Sequence, residues 1–285
     1  MTLKHSKLYF LLLCIFCACD RDDEKIPAYL YIEPFDFNVK IGEGSSSQNL
    51  TDVWVYVNDR YYGAYELPCW IPVLEKGIGE VLLLPGYRQD GRITNAFRYQ
   101  LLNPYQIKLQ LDPQITDTIR PATSYQSGLQ FSVIEDFEGI HFFNTDRDKD
   151  PETKIVLTNA SDAFEGSHSG MITLTKEHPS ISAEYILNDP IPQSGDPIIL
   201  ELNFKSDIPF SIGFIAYKSI LGEENLIKAG ILPKKNWTKV YFDFREIINT
   251  SNADYYHLAI AADFQKDSSK AEQQIYIDNI KVIHR

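Results

Sequence analysis

Apolar and polar residues alternate with a spacing of two along most of this chain, and that spacing belongs to strands, because successive side chains of a strand point to opposite faces. The pattern is clear in Val53-Trp54-Val55-Tyr56-Val57, Glu80-Val81-Leu82-Leu83-Leu84 and Ile107-Lys108-Leu109-Gln110-Leu111. It recurs in Ile198 to Phe204, Lys239 to Phe244 and Ile275 to Ile280. No long stretch repeats its apolar residues at the helical period, and only Arg245 to Asn249 reads as a helical turn. Asn58-Asp59 lies between two such runs and predicts a tight hairpin, and Asp90-Gly91 predicts another turn. The expectation is an all-β chain.

Asp112 to Ser127 carries two prolines, several Thr and Ser residues and little apolar period, which marks a connection between domains. The fold expected is therefore two antiparallel β-sandwich domains, residues 26–120 and residues 121–285, the second a jelly roll. Gly42 to Asn49 reads as a polar, flexible loop. Hydrophobic residues make up 44 % of the chain, enough for a sizeable core.

The chain begins with Lys4 and Lys7, followed by an apolar run from Leu8 to Ala18. That run is shorter than the about 20 residues a membrane helix needs, and it fits a secretory leader over residues 1–18. Ala18-Cys19 then resembles a lipobox, which implies lipid attachment at Cys19. Phe16 and Cys17 depart from the usual aliphatic and small residues of that motif. Asp20 to Glu24 resembles the acidic export signal of Bacteroidota surface lipoproteins, implying lipid anchoring at the exposed face of the outer membrane. The plainer reading makes residues 19–25 a solvated tether, or Cys19 a chance cysteine of a secreted protein.

With 39 acidic against 27 basic residues, and two of the basic ones in the leader, the chain has no basic footprint for nucleic acid. Of the four cysteines, Cys14 and Cys17 would leave with the leader and Cys19 would be acylated. Cys69 is then alone, no internal disulfide forms, and its Pro68-Cys69-Trp70 setting suits a buried thiol.

Val55-Tyr56-Val57-Asn58-Asp59, Gly63 to Pro68, Val73 to Gly77 and Val81 to Tyr87 together resemble the PEGA type of small β-sandwich module, which implies a spacer or interaction role. Glu135 to Glu138, Glu165 to Leu174, Trp237 to Phe244 and Ile275 to Val282 resemble the jelly rolls of carbohydrate-binding modules. That second resemblance implies a non-catalytic glycan site and a structural calcium between the first and last strands, held by Asp136 or Glu138 together with Asp278; the plain alternative is surface carboxylates.

Asp136 and Glu138, two apart in an expected strand, would share a face as a glycosidase pair must, although solvent-facing acids are the commoner outcome. Asp146 to Asp150 begins like a calcium loop but has Pro151 at its sixth position and Leu157 at its twelfth, so a mobile, solvated loop is expected. Gly166-Ser167-His168-Ser169-Gly170 has histidine where a nucleophile elbow needs serine. The six histidines show no zinc spacing, and phosphate loops are missing. Trp54 and Trp237 are expected in the core. Tyr61, Tyr62, Trp70, Tyr217, Tyr255 and Tyr256 are candidates for exposed sugar-stacking rings.

The sequence thus points to a membrane-anchored, non-enzymatic lipoprotein that binds a glycan or surface glycoprotein and requires no cofactor. A structural or assembly component of a cell-surface complex is the alternative, and a glycan-active enzyme is a third reading.

Overall fold

The computed structural model describes residues 26–89, 96–267 and 269–285. The leader, Cys19, the acidic run behind it and the Asp90-Gly91 turn lie outside the described residues.

The first half contains strands β1 (Ala28–Ile32), β2 (Asp36–Asn38), β3 (Asp52–Val57), β4 (Arg60–Glu66), β5 (Cys69–Val73), β6 (Gly77–Arg88), β7 (Ala96–Arg98), β8 (Tyr105–Leu111), β9 (Thr116–Ile119) and β10 (Ala122–Ser124). One sheet runs β4-β3-β6-β7 with β8 also on β6, a second runs β5-β1-β9, and β2 pairs with β10. The β3–β4 hairpin turns at Asn58 and Asp59, whose φ angles of 49° and 63° are the left-handed pair such a turn requires. Cys69 is a free, buried thiol as expected, and burial pushes its pKa up to about 11.

Two expectations need correction. The segment between Asp112 and Ser127 is no bare connection, since it supplies β9 and β10 to the sheets of the first half. Both of those strands pair in parallel, with β1 and β2, so the first half is not wholly antiparallel. Short edge strands are held by their backbone ladder, and need no apolar period to be strands.

The second half contains β11 (Gln130–Glu135), β12 (Phe143–Asp146), β13 (Val156–Leu157), β14 (Gly170–Leu174), β15 (Ser180–Ile186), β16 (Ile199–Ser206), β17 (Phe210–Lys218), β18 (Gly222–Ile231), β19 (Thr238–Asp243), the helix α1 (Arg245–Ser251), β20 (Tyr255–Asp263) and β21 (Gln273–His284). A six-stranded sheet, β13-β14-β21-β16-β19 with β11 on β21, faces a five-stranded sheet, β12-β15-β20-β17-β18. Every pairing in both is antiparallel. Phe204, Phe214, Phe242 and Phe244 fill the space between them. The fold is an all-β sandwich of the jelly-roll kind.

The outer face of the six-stranded sheet is also covered. Ile199, Tyr241 and Ile283 point away from the sandwich core and join the core of the first half, where Tyr241 packs on Tyr87 and Tyr99 at ring distances of 5.1 and 5.5 Å. The same outward row carries Glu201, Lys239 and Lys281, all at most 4 % exposed. Glu201 Oε1 accepts a hydrogen bond from Tyr125 at 2.8 Å and another from Tyr99. Lys239 Nζ lies 3.0 Å from Glu201 Oε2, close enough for an ion pair although not aligned for a hydrogen bond.

Lys281 Nζ donates to the Ser45 carbonyl at 2.6 Å and to Tyr125 at 3.2 Å. Burial brings the Lys281 pKa down to about 8 against the pull of Glu201. Burial works against ionisation of Glu201 too, yet the two ammonium groups outweigh it and hold that carboxyl below its usual range.

The expected flexible loop from Gly42 to Asn49 is thereby corrected to a strap across this layer. Asn49 N donates to Tyr241 at 2.7 Å, Asn49 Nδ2 to the Lys239 carbonyl at 3.0 Å, and Asn203 Nδ2 to Ser47 at 2.9 Å. Gly44 has φ +72°, and a Cβ there would meet Lys281 Cε at 2.9 Å, so the strap needs glycine to pass.

Removing one member of a buried ionic group strands the others, which typically costs about 3–5 kcal/mol. Glu201→Ala is therefore expected to lower unfolding stability by that amount in urea titrations, whereas Glu33→Ala, whose Arg120 partner is mostly exposed, changes it little.

Candidate functional site

The outer face of the five-stranded sheet reaches solvent at Tyr255 and Ile186, while Glu184, Ile215 and Ala259 on the same face are at most 1 % exposed. Register puts Tyr217 opposite Tyr255 and Glu223, His257 opposite Ile186 and Ile215, and Glu184 opposite Ala259. Alternation then assigns Phe214, Ala216, Tyr256 and Leu258 to the core, and the first set to the open face. Further along the same face the side chains are small: Gly213, Ala259, Ser211, Ala261 and Ser182.

Arg147, at the end of β12, reaches over this floor. Its guanidinium donates to Glu184 Oε1 at 2.6 Å and to Glu223 Oε1 at 2.6 Å, and lies 3.4 Å from the Tyr217 hydroxyl. β12 and β18 are opposite edges of the sheet, so Arg147 and Glu223 bring side chains from its two borders together above the intervening strands. Glu184 is 1 % exposed and takes two more hydrogen bonds, from Tyr217 at 3.0 Å and from His257 Nδ1 at 2.9 Å.

Tyr217 and Tyr255 stack at 4.8 Å with ring planes 6° apart, and Tyr255 is 48 % exposed. Burial, and then the hydrogen bond to Glu184, pushes the Tyr217 phenol up to about 12, so it stays a donor at neutral pH. Arg147 holds Glu223 below the usual carboxylate range, and its own pKa rises through that bond. An ionised glutamate of this kind accepts hydrogen bonds and does not serve as a general acid.

Asp136, Glu138 and Asp278 do come together, with Glu165, in a cleft of about 300 Å³ at the other sheet. They are not a strand pair, which corrects the glycosidase geometry: β11 ends at Glu135 and Phe137 turns left-handed with φ 55°. The oxygens are engaged internally. Glu138 accepts from the backbone amides of His168 and Ser167 at 2.9 and 2.8 Å, which lowers its pKa. Asp278 accepts from Ser169 Oγ and from Asn279 N, both at 2.7 Å. Gly166 sits where a Cβ would lie 2.3 Å from the Glu138 carboxylate, so glycine is required for that contact.

The oxygen chemistry suits calcium, yet among the described residues no three His, Cys, Asp or Glu side chains are arranged to hold a metal ion.

Other candidates fall out as follows. Asp146 to Asp150 is pinned instead of mobile: Thr153 donates to Asp148 at 2.9 Å and His178 pairs with Asp150 at 2.8 Å. Of the aromatic candidates, Tyr61 and Trp70 are exposed but Tyr256 is 2 % exposed. Trp54 and Trp237 are both half-buried, not core, because Trp54 lies on the outer parity of β3 and Trp237 precedes β19.

No protein-family model matches this chain, and no curated protein matches it. Among solved structures it is similar to a family 29 carbohydrate-binding module at 12 % identity, over 55 % of this chain and 89 % of that one, with a TM-score of 0.32. A structure of that module complexed with mannohexaose gives 12 %, 55 %, 91 % and 0.32. The family 30 module of a cellulosomal cellulase of Clostridium thermocellum gives 14 %, 54 %, 92 % and 0.37. Likeness at this level identifies no ligand.

Burial pushes Asp278 from 3.8 up to about 6. The folded chain therefore keeps a proton that the unfolded chain releases in that window, so stability falls as pH rises through it and stays lower above. Asp278→Asn is expected to raise the melting temperature at pH 8 and to leave it nearly unchanged at pH 4. A lowered melting temperature at pH 8 in calcium buffer, reversed by chelator, would instead show that Asp278 holds the ion.

Proposed function

We propose that this chain is a non-catalytic glycan-binding protein, that the open face of its five-stranded sheet takes the sugar chain, and that lipid on Cys19 holds it at the outer membrane surface. The observation that carries the glycan reading is the stacked Tyr217–Tyr255 pair beside the Arg147–Glu184–Glu223 cluster. An exposed ring offers its apolar face to the apolar side of a pyranose. The partly exposed Arg147 guanidinium and Glu223 carboxylate, held in place on the buried Glu184, offer a donor and an acceptor to sugar hydroxyls. Both carboxylates are bound to one arginine, which suits recognition better than proton transfer.

A second reading rests on Phe142, Ile186, Ile220 and Leu221, which are 54, 49, 94 and 80 % exposed. Such apolar side chains on the turns near this face would suit a protein partner in a surface assembly.

Calorimetric titration with neutral β-linked gluco- and manno-oligosaccharides tests the first reading. Binding that weakens about tenfold in Tyr255→Ala and not in Tyr61→Ala is expected. No binding to any neutral oligosaccharide, together with recovery of a stoichiometric protein partner by cross-linking on intact cells, would favour the second. The anchor is tested separately: Cys19→Ala should move the chain from the detergent phase to the aqueous phase.

A further inference from the structure

Three turns meet at one end of the six-stranded sheet. The end of β16 brings Lys205 and the turn after it Asp207, the turn after β18 brings Lys234 and Lys235, and the turn before β21 brings Lys270, with Tyr276 on β21 itself. Together they line a cleft of about 260 Å³. Backbone bonds lock the turns to one another: Ser206 N donates to the Lys234 carbonyl and Asp207 N to the Gln274 carbonyl, both at 2.8 Å.

Lys270 pairs with Asp207. Among the described residues, no carboxylate pairs with Lys205, Lys234 or Lys235. The chain carries a net charge of −12, so a cleft lined by four ammonium groups and one carboxylate, with Asp162 also near Tyr276, is a basic patch on an acidic molecule.

Among the described residues, Tyr276 is the one ring that lines the cleft, and two further rings pack behind it. Phe164 packs on Trp237 at 5.3 Å, Trp237 on Tyr276 at 6.4 Å, and Lys205 Nζ lies 4.3 Å from the Tyr276 ring centre and 5.2 Å from that of Trp237. Clustered lysines attract an oxyanion as point charges, and the rings hold Lys205 in place by cation–π contact.

We infer that this cleft is a second binding site, for an acidic saccharide whose carboxylate or sulfate group is held by Lys205, Lys234 and Lys235. It lies on the opposite sheet from the Tyr217–Tyr255 face and does not depend on that face binding sugar.

The test is affinity electrophoresis of the mature chain in gels containing polygalacturonate or chondroitin sulfate, with a neutral cellulose derivative as reference. Retardation by at least one acidic polymer, relieved by added salt, is expected. The affinity should fall about tenfold in Lys234→Gln/Lys235→Gln, and remain unchanged in Lys40→Gln/Lys108→Gln. Tyr255→Ala should leave it unchanged as well, so loss of neutral-sugar binding and loss of acidic-polymer binding are read separately. The inference is overturned if neither acidic polymer retards the chain. It is equally overturned if the control pair weakens retardation as much, or if the Lys234 and Lys235 variant loses binding only to anionic phospholipid vesicles.

Discussion

Glu201 sits in a dry layer between Lys239, Lys281 and the hydroxyls of Tyr99 and Tyr125, where the two halves of the molecule meet. Two ammonium groups taken from water would be costly alone, and the shared carboxylate and tyrosines are what make their burial tolerable. Because these groups stand on β16, β19 and β21, the central sheet is buried on both faces. Both hydrophobic clusters lean on it. A sheet clamped in this way has little freedom to bend, so the sandwich it belongs to offers a rigid back to the sheet that remains open.

That open sheet is braced by Arg147. An arginine leaving one edge strand bonds a glutamate on the opposite edge and so ties the two borders together across strands whose outward side chains include Gly213, Ala259 and Ala261. The buried Glu184 is satisfied on all sides by arginine, tyrosine and histidine, which keeps the cluster in one arrangement.

Charge is segregated across the second half. The cleft of Asp136, Glu138, Glu165 and Asp278 and the cleft of Lys205, Lys234, Lys235 and Lys270 lie on the same sheet, yet they differ in what their groups are doing. The acidic groups are turned inward to backbone amides and hydroxyls, so they close the loops around the sheet end. Among the described residues, Lys205, Lys234 and Lys235 pair with no carboxylate. A count of charges would rank the two clefts alike, and only the hydrogen bonds separate structural groups from available ones.

The sequence by itself determined the secondary structure that rests on local rules. Period-two runs became β3, β6, β8, β16, β19 and β21, Asn58-Asp59 became the left-handed hairpin turn, and Arg245 to Asn249 opened the helix. Tyr217 and Tyr255 were legible as candidate exposed rings, whereas Arg147, Glu184 and His257 gave no signal, being far apart in sequence and ordinary in composition. The sequence also brought Asp136, Glu138 and Asp278 to notice, but not what their oxygens would bind. Only the tertiary structure decided that Gly42 to Asn49 is a strap, that Asp112 to Ser127 supplies strands, and that Trp237 packs behind a basic cleft. Each of those outcomes depends on a partner strand or a buried ammonium group more distant along the chain than any local pattern reaches.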